Sequence, residues 1–272
     1  MDTAVVTDLG TDVVPDPSRL AVTVLGCGGT FAGAGNACSG YLVRGGGTAV
    51  LLDCGPGVLS SLQHHLEPTE LDAVVVSHSH PDHWGDVPVM RNALHYVLGH
   101  HGVPLFTTAD TLAILDGVFH DGLGDAFAPS VIADGADFTV GALRMRTSRT
   151  AHPPETMGIR VDLGGVELGE GASTRSIAYS ADTGPAWSLG RLGDGIDLGI
   201  CEATWLAADG FDVDDLHMTA EQAGRLARAD GVAQLLITHV PPTGSVELAV
   251  AEASAAYGAP VDPARIHHTY LA

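Results

Sequence analysis

Four metal-capable side chains fall within six residues in the run His78-Ser79-His80-Pro81-Asp82-His83, and that run follows the apolar segment Ala73 to Val76 directly, with only Ser77 between. A short, unbroken apolar run of this kind reads as a strand buried on both faces. Residues two apart on extended backbone point the same way, so His78 and His80 can converge on one ion. Pro81 then turns the chain, which lets Asp82 and His83 address a neighbouring position. One segment thus offers ligands to two metals. Imidazole with carboxylate suits zinc, and manganese, iron or nickel by ligand type alone. A histidine-rich surface loop would follow a turn rather than a buried strand.

Two ions need more than four ligands, and the chain supplies candidates at comparable strand ends. His152 follows the alternating stretch Leu143 to Thr150 and precedes Pro153. Asp182 follows the strand-like Ser176 to Ser180, and His239 follows Gln234 to Thr238 and precedes Pro241-Pro242. Each lies at the carboxyl end of an expected strand, where open α/β sheets place their chemistry.

Further strands are expected at Ala21 to Leu25, Tyr41 to Val43 and Ala49 to Leu52, and helices at Val58 to Leu66 and Met218 to Asp230. Gly231 stands where the second helix should stop. Strands alternating with helices in the first and last thirds argue for an α/β architecture. No linker divides it. Residues 1–19 read as a flexible N-terminal arm, since Met1 to Ser18 is acidic and carries Pro15 and Pro17, without the pattern of a secretion signal. Residues 20–272 read as a single domain.

Composition narrows the partners. The formal charge is −21, and all 12 cationic residues are arginines. Such a surface repels phosphate backbones, so long nucleic acids are not expected to bind. No apolar run approaches the roughly 18–20 residues of a membrane span. Cys27, Cys38, Cys54 and Cys201 show no CxxC pairing, so a reducing cytoplasm fits best. Gly26-Cys27-Gly28-Gly29-Thr30 follows a strand, but Phe31 stands where GxGxxG needs glycine. The loop is expected to let backbone pass close to a site.

The set His78, His80, Asp82, His83, His152, Asp182 and His239, in that order along the chain from about Ala21 to the C-terminus, resembles the dinuclear site of the metallo-β-lactamase superfamily. The resemblance implies an αββα sandwich of two mixed sheets covered by helices. It also implies that His78, His80 and His152 hold one ion, that Asp82, His83 and His239 hold the other, and that Asp182 bridges them. Aspartate at 182, where class B β-lactamases commonly carry cysteine, speaks against antibiotic hydrolysis. Histidine at 80, where flavodiiron relatives have glutamate, favours a hydrolytic site.

Cys201-Glu202-Ala203-Thr204-Trp205 and Leu216-His217-Met218-Thr219 are similar to elements of the tRNA 3′-processing endonucleases and their phosphodiesterase relatives. By that resemblance Glu202 orients His217, which assists the leaving group. Cys201 and Met218 depart from the histidine and serine of those elements. Only 29 residues separate His152 from Asp182, leaving no room for the long arm of the tRNA-processing enzymes. The stretches Ala151 to Glu155, Tyr179 to Gly184, Cys201 to Ala203, Asp215 to His217 and Leu236 to Pro242 also resemble the actinobacterial-type cyclic-nucleotide phosphodiesterases. Trp84 and Thr243-Gly244 depart from those enzymes.

The expected function is a dinuclear-metal hydrolase, a phosphodiesterase on a small molecule such as a cyclic nucleotide. Two divalent ions about 3.5–4 Å apart lower the pKa of a shared water towards neutrality and give the nucleophile. Asp82, His217 and Glu202 are the catalytic candidates beside the metal ligands, and Arg91, Arg149 and Arg160 are candidates for a phosphate contact. The alternative is a carboxylic ester, lactone or thioester hydrolase on the same ion pair, which needs no strong general acid. A binding protein that keeps the metals without turnover is the third reading. Relatives are often dimers, so a homodimer is the candidate assembly. The remaining histidines, among them His64-His65, His95, His100-His101 and His267-His268, read as surface or pocket-edge positions.

Overall fold

Short runs of Val, Ile and Leu separated by glycine give this chain its strands, and most of those strands are covered on both faces. The computed structural model describes residues 7–8, 15–164, 174–209 and 216–272. The first strands are β1 (Thr7–Asp8), β2 (Ala21–Gly26), β3 (Gly40–Gly45), β4 (Thr48–Leu52), β5 (Ala73–Val76), β6 (Val103–Thr107) and β7 (Phe127–Val131). They are followed by β8 (Asp137–Val140), β9 (Leu143–Arg149), β10 (Met157–Leu163), β11 (Arg175–Tyr179), β12 (Leu198–Glu202), β13 (Gln234–Thr238), β14 (Asp262–Pro263) and β15 (Thr269–Leu271). The α-helices are α1 (Val58–Leu62), α2 (Pro81–Trp84), α3 (Val87–Asn92), α4 (Ala109–Gly117), α5 (Ala220–Ala229) and α6 (Val246–Tyr257).

Two mixed sheets result, ordered β1-β15-β2-β3-β4-β5-β6-β7 and β14-β13-β12-β11-β10-β9-β8. Alternation decides which side chains meet. Val50, Leu52, Ala73 and Val75 of the first sheet pack against Ile159, Val161, Ile177 and Ile200 of the second. Leu51, Val74 and Val76 turn to the opposite face, onto α1 and α3. Ala178, Cys201, Leu235 and Ile237 turn away on the other side, onto α5 and α6. The molecule is therefore the αββα sandwich expected from the sequence. Each fully buried Val or Leu in these layers stabilises it by roughly 1.5–3 kcal/mol.

The helices are shorter than the apolar pattern suggests. α1 stops at Leu62, and a turn carries the chain through His65, where the expected helix ran to Leu66. α5 starts two residues after Met218 because Thr219 caps it: its hydroxyl accepts from Gln222 N–H, and Gln222 reaches back to Thr219 N–H. Gly224 lets α5 approach α6 closely, since a Cβ there would lie 2.3 Å from the Ala253 carbonyl oxygen. Within the stretch expected to be an arm, Thr7–Asp8 pairs with β15 at the edge of the first sheet. Residues 1–6 and 9–14 lie outside the described residues, as does Asp215. No described helix is long and apolar enough to cross a membrane.

Candidate metal centre

Strand direction brings the ligands together. β4 and β5 run parallel, as do β11, β12 and β13. β10 is antiparallel to both β9 and β11, so β9 runs the same way as β11. The chain therefore leaves β9, β11, β12 and β13 at one end of the second sheet, carrying His152, Asp182, Glu202 and His239. The loop after β5 meets them there with His78 to His83. Pro81 opens α2, so Asp82 and His83 stand on a helical turn directly after His80.

Asp182 sits at the middle. Its Oδ2 lies 3.5 Å from His78 Nε2 and 3.8 Å from His152 Nε2, and its Oδ1 lies 3.2 Å from His83 Nε2 and 3.3 Å from His239 Nε2. His80 turns Nδ1 to within 3.2 Å of His152 Nε2. Asp82 Oδ2 is 3.3 Å from His239 Nε2 and 3.6 Å from His83 Nε2. Charge-assisted hydrogen bonds run at about 2.7–2.9 Å, whereas two atoms bound to one tetrahedral ion at about 2.0–2.1 Å stand about 3.3 Å apart. The separations here are those of ligands sharing an ion. His78 Nε2, His83 Nε2 and Asp182 Oδ1 are buried without a hydrogen-bond partner, although such groups ordinarily cost about 1–3 kcal/mol each when left unsatisfied. This donor set fits divalent cations.

The far side of four of the imidazoles, those of His78, His83, His152 and His239, is held. His83 Nδ1 is 2.7 Å from Asp53 Oδ2, and Asp53 also accepts from Ser77 N–H at 2.7 Å, the Ser77 hydroxyl at 2.9 Å and the Tyr179 hydroxyl at 2.8 Å. His78 Nδ1 is 3.0 Å from the Ser77 hydroxyl. His152 Nδ1 donates to the Leu216 carbonyl at 2.7 Å. His239 Nδ1 is 3.0 Å from the Thr204 hydroxyl, which donates to Glu202 Oε2 at 2.7 Å. A hydrogen bond at Nδ1 fixes the tautomer and leaves Nε2 free for a cation. Asp82 Oδ2 accepts Thr30 N–H at 2.9 Å. A Cβ on Gly29 would lie 2.2 Å from the His239 carbonyl oxygen, so the glycine loop does pass close to the site, as expected.

Electrostatics sorts the histidines. Burial, helped by the neighbouring His83, pushes His78 down to about 4. Burial also lowers His80 and His152, so all three offer neutral imidazoles at neutral pH. Burial opposes charge on His83 as well, yet the Asp182 and Asp53 carboxylates outweigh it and hold His83 well above its usual range. Burial resists ionisation of Asp182, but His239, His83 and His78 keep it well below the usual carboxylate range. The two carboxylates thus favour positive charge at this place, which a divalent cation would supply.

Beside this cluster, His217 Nδ1 is 3.0 Å from Glu202 Oε1. Glu202 is fixed by Thr183 N–H at 2.6 Å, Met218 N–H at 3.2 Å and the Thr204 hydroxyl. Burial alone would lower the His217 pKa, but the Glu202 charge and hydrogen bond raise it to about 9. His217 lines a cleft of about 310 Å³ together with Thr30, His80, Pro81, Asp82, Asp182 and His239.

The structure thus brings together the seven expected ligands with Glu202 and His217. The arginine candidates lie elsewhere: Arg91 pairs with Asp121 at 2.7 Å, Arg160 with Asp162 at 2.7 Å, and none of the three lines the cleft. Trp84 donates to the Ser79 carbonyl, and Trp205 lines a separate cavity beside Pro241. Sequence reading missed Asp53, Ser77, Thr204 and Tyr179. Asp53 had one usable signal, a carboxylate ending an apolar strand.

The profile of the beta-lactamase superfamily domain matches residues 48–240. An uncharacterized protein of Mycobacterium tuberculosis is 36% identical over 252 residues, covering 88% of this chain and 88% of that protein. The probable metallo-hydrolase YhfI of Bacillus subtilis is 32% identical over 233 residues, covering 83% of this chain and 88% of that protein. The crystal structure of YhfI, described as a metallo-beta-lactamase fold protein, superposes with a TM-score of 0.80 at 27% identity, covering 93% of this chain and 99% of that one. The short form of human tRNase Z shares the fold, with a TM-score of 0.69 at 19% identity over 92% of this chain and 98% of its own.

Proposed function

The chain belongs to the beta-lactamase superfamily, and we propose that within this family of metallo-hydrolases it is a two-metal phosphodiesterase acting on a small molecule such as a cyclic nucleotide. The pairing of Glu202 with His217 beside the histidine-aspartate cluster carries this reading. His78, His80 and His152 would hold one ion and Asp82, His83 and His239 the other, with Asp182 turning one oxygen to each group. Zinc suits these donors, with manganese or iron as alternatives. Bound there, the ions supply Lewis acidity and lower the pKa of water towards neutrality.

The protein's own residues supply the rest. Asp82 is held by Thr30 N–H, which keeps its carboxylate turned into the cleft. His217 is protonated at neutral pH, and its Nδ1–H donates to Glu202, leaving Nε2–H as the proton for the departing oxygen. An alkoxide is a poor leaving group, so a phosphodiester needs such a donor. General acid help of this kind is worth about 10²–10⁴-fold. The His152 ring, tilted at 5.0 Å, and the His239 ring, stacked at 5.4 Å, flank the His217 ring and limit its movement.

The charge pattern supports a small substrate. The chain has no lysine and a formal charge of −21, and no arginine lines the cleft, so recognition of a phosphate rests on the cations and His217. A single phosphodiester suits that arrangement better than a polyanionic strand, and we infer no nucleic-acid or membrane partner. Four free thiols accord with a cytoplasmic setting. A homodimer remains the candidate assembly.

Rates on cyclic AMP, bis-(p-nitrophenyl) phosphate and a lactone test the reading on metal-loaded protein. The expected result is turnover of the phosphodiesters and strong dependence of cyclic AMP hydrolysis on His217. Brisk lactone hydrolysis with no phosphodiester turnover and indifference to His217→Ala would replace it by the ester and lactone reading.

A further inference from the structure

Two tyrosines in the core between the sheets have hydroxyl bonds that neither packing nor catalysis accounts for. Tyr41 stands on β3 of the first sheet and Tyr179 on β11 of the second, both essentially unexposed, with ring centroids 4.9 Å apart. Each sends its hydroxyl across the sandwich. Tyr179 donates at 2.8 Å to Asp53 Oδ2, at the end of β4, and the same oxygen is 2.7 Å from His83 Nδ1. The Tyr41 hydroxyl lies 2.5 Å from the hydroxyl of Thr238, the last residue of β13 and the neighbour of His239. The two crossings therefore end at the support of His83 and at the residue that precedes His239 in the chain.

Those two histidines come from opposite sheets and face each other across Asp182 Oδ1, with ring centroids 5.4 Å apart. Apolar contacts between the sheets are non-directional and fix sliding poorly. A hydrogen bond from each sheet to the other fixes it in both directions. His152, by contrast, is held by the Leu216 carbonyl and touches neither tyrosine bond. Asp53 and His239 both have φ near +60°, a backbone conformation that persists only where the surroundings enforce it.

We propose that Tyr41 and Tyr179 are positioning residues that lock the two sheets in register and thereby set the spacing of His83 and His239 for the second ion. The inference rests on the two-metal reading above. Removing either hydroxyl while keeping the ring should loosen the second ion selectively.

The test is stepwise titration of the metal-free protein with Zn2+ by calorimetry, and with Co2+ by its visible absorption at each site. Tyr41→Phe and Tyr179→Phe should each weaken the second ion about 10- to 100-fold, the range for residues that orient ligands, and change the first about threefold or less. Thr238→Val should behave like Tyr41→Phe, whereas Thr238→Ser, which keeps the hydroxyl, should bind like the parent. If both Phe variants melt earlier yet bind two ions with parental constants, the tyrosines serve the core alone and the proposal fails. If the parent protein itself takes up fewer than two ions, the two-metal reading fails first and takes the proposal with it.

Discussion

Two groups of histidine and aspartate stand among the described residues, and they differ in everything except donor chemistry. At the centre, Asp182 is 2% exposed and its oxygens lie 3.2–3.8 Å from four imidazole nitrogens that are held from behind. On the surface, Asp125 is 61% exposed and its Oδ1 lies 2.5 Å from His95 Nδ1 and 3.2 Å from His101 Nδ1. The shorter contact is a hydrogen bond, closed on itself. The surface carboxylate satisfies its neighbours, whereas the buried cluster leaves His78 Nε2, His83 Nε2 and Asp182 Oδ1 without partners. Burial, spacing and support behind the ring separate a candidate metal centre from a collection of the same side chains.

Matched substitutions press on that difference. Asp182→Ala should lose both ions and abolish turnover, measured by metal content and by rates on cyclic AMP. Retention of two ions by that variant would erase the distinction. His217→Ala should keep the metals and lose about 10²–10⁴-fold in rate on an alkoxide leaving group, with a far smaller loss on bis-(p-nitrophenyl) phosphate, whose leaving group needs no proton. The pH profile follows from the same residue. Its folded pKa is raised from 6.5 to about 9, so its share of stability is complete below 6.5 and disappears as pH rises through about 9. Rates on cyclic AMP should fall over that alkaline limb, and His217→Ala should remove the limb. Asp53→Asn should keep the fold but weaken metal binding about 10–100-fold by taking a charged acceptor from His83. Asp125→Ala should change metal content and rate about twofold at most, as is usual for surface positions.

The same difference explains what the sequence could and could not disclose. The seven proposed ligands were legible because cation binding demands imidazole or carboxylate at fixed places, and HxHxDH after an apolar strand has few other uses. Glu202 and His217 came from resemblance, and their 3.0 Å contact is a finding of the structure. The supports were largely illegible. Tyr41 and Tyr179 occupy core positions in the strand alternation, where a phenol ring reads as another apolar residue. The partner of His152 is the Leu216 carbonyl, a backbone atom with no side-chain signature. The α/β class followed from strands alternating with helices and the αββα sandwich from the family resemblance, but helix ends followed from neither. Apolar spacing carries on past Leu62 and starts before Ala220, whereas Thr219 and Gln222 set the actual start of α5.

Crystals of the zinc-loaded protein measured at the zinc absorption edge test the central claim most directly. Two anomalous peaks are expected, one among His78, His80 and His152 and one among Asp82, His83 and His239, with an oxygen of Asp182 bound to each. A single peak, or two that leave Asp182 unbound, would contradict it.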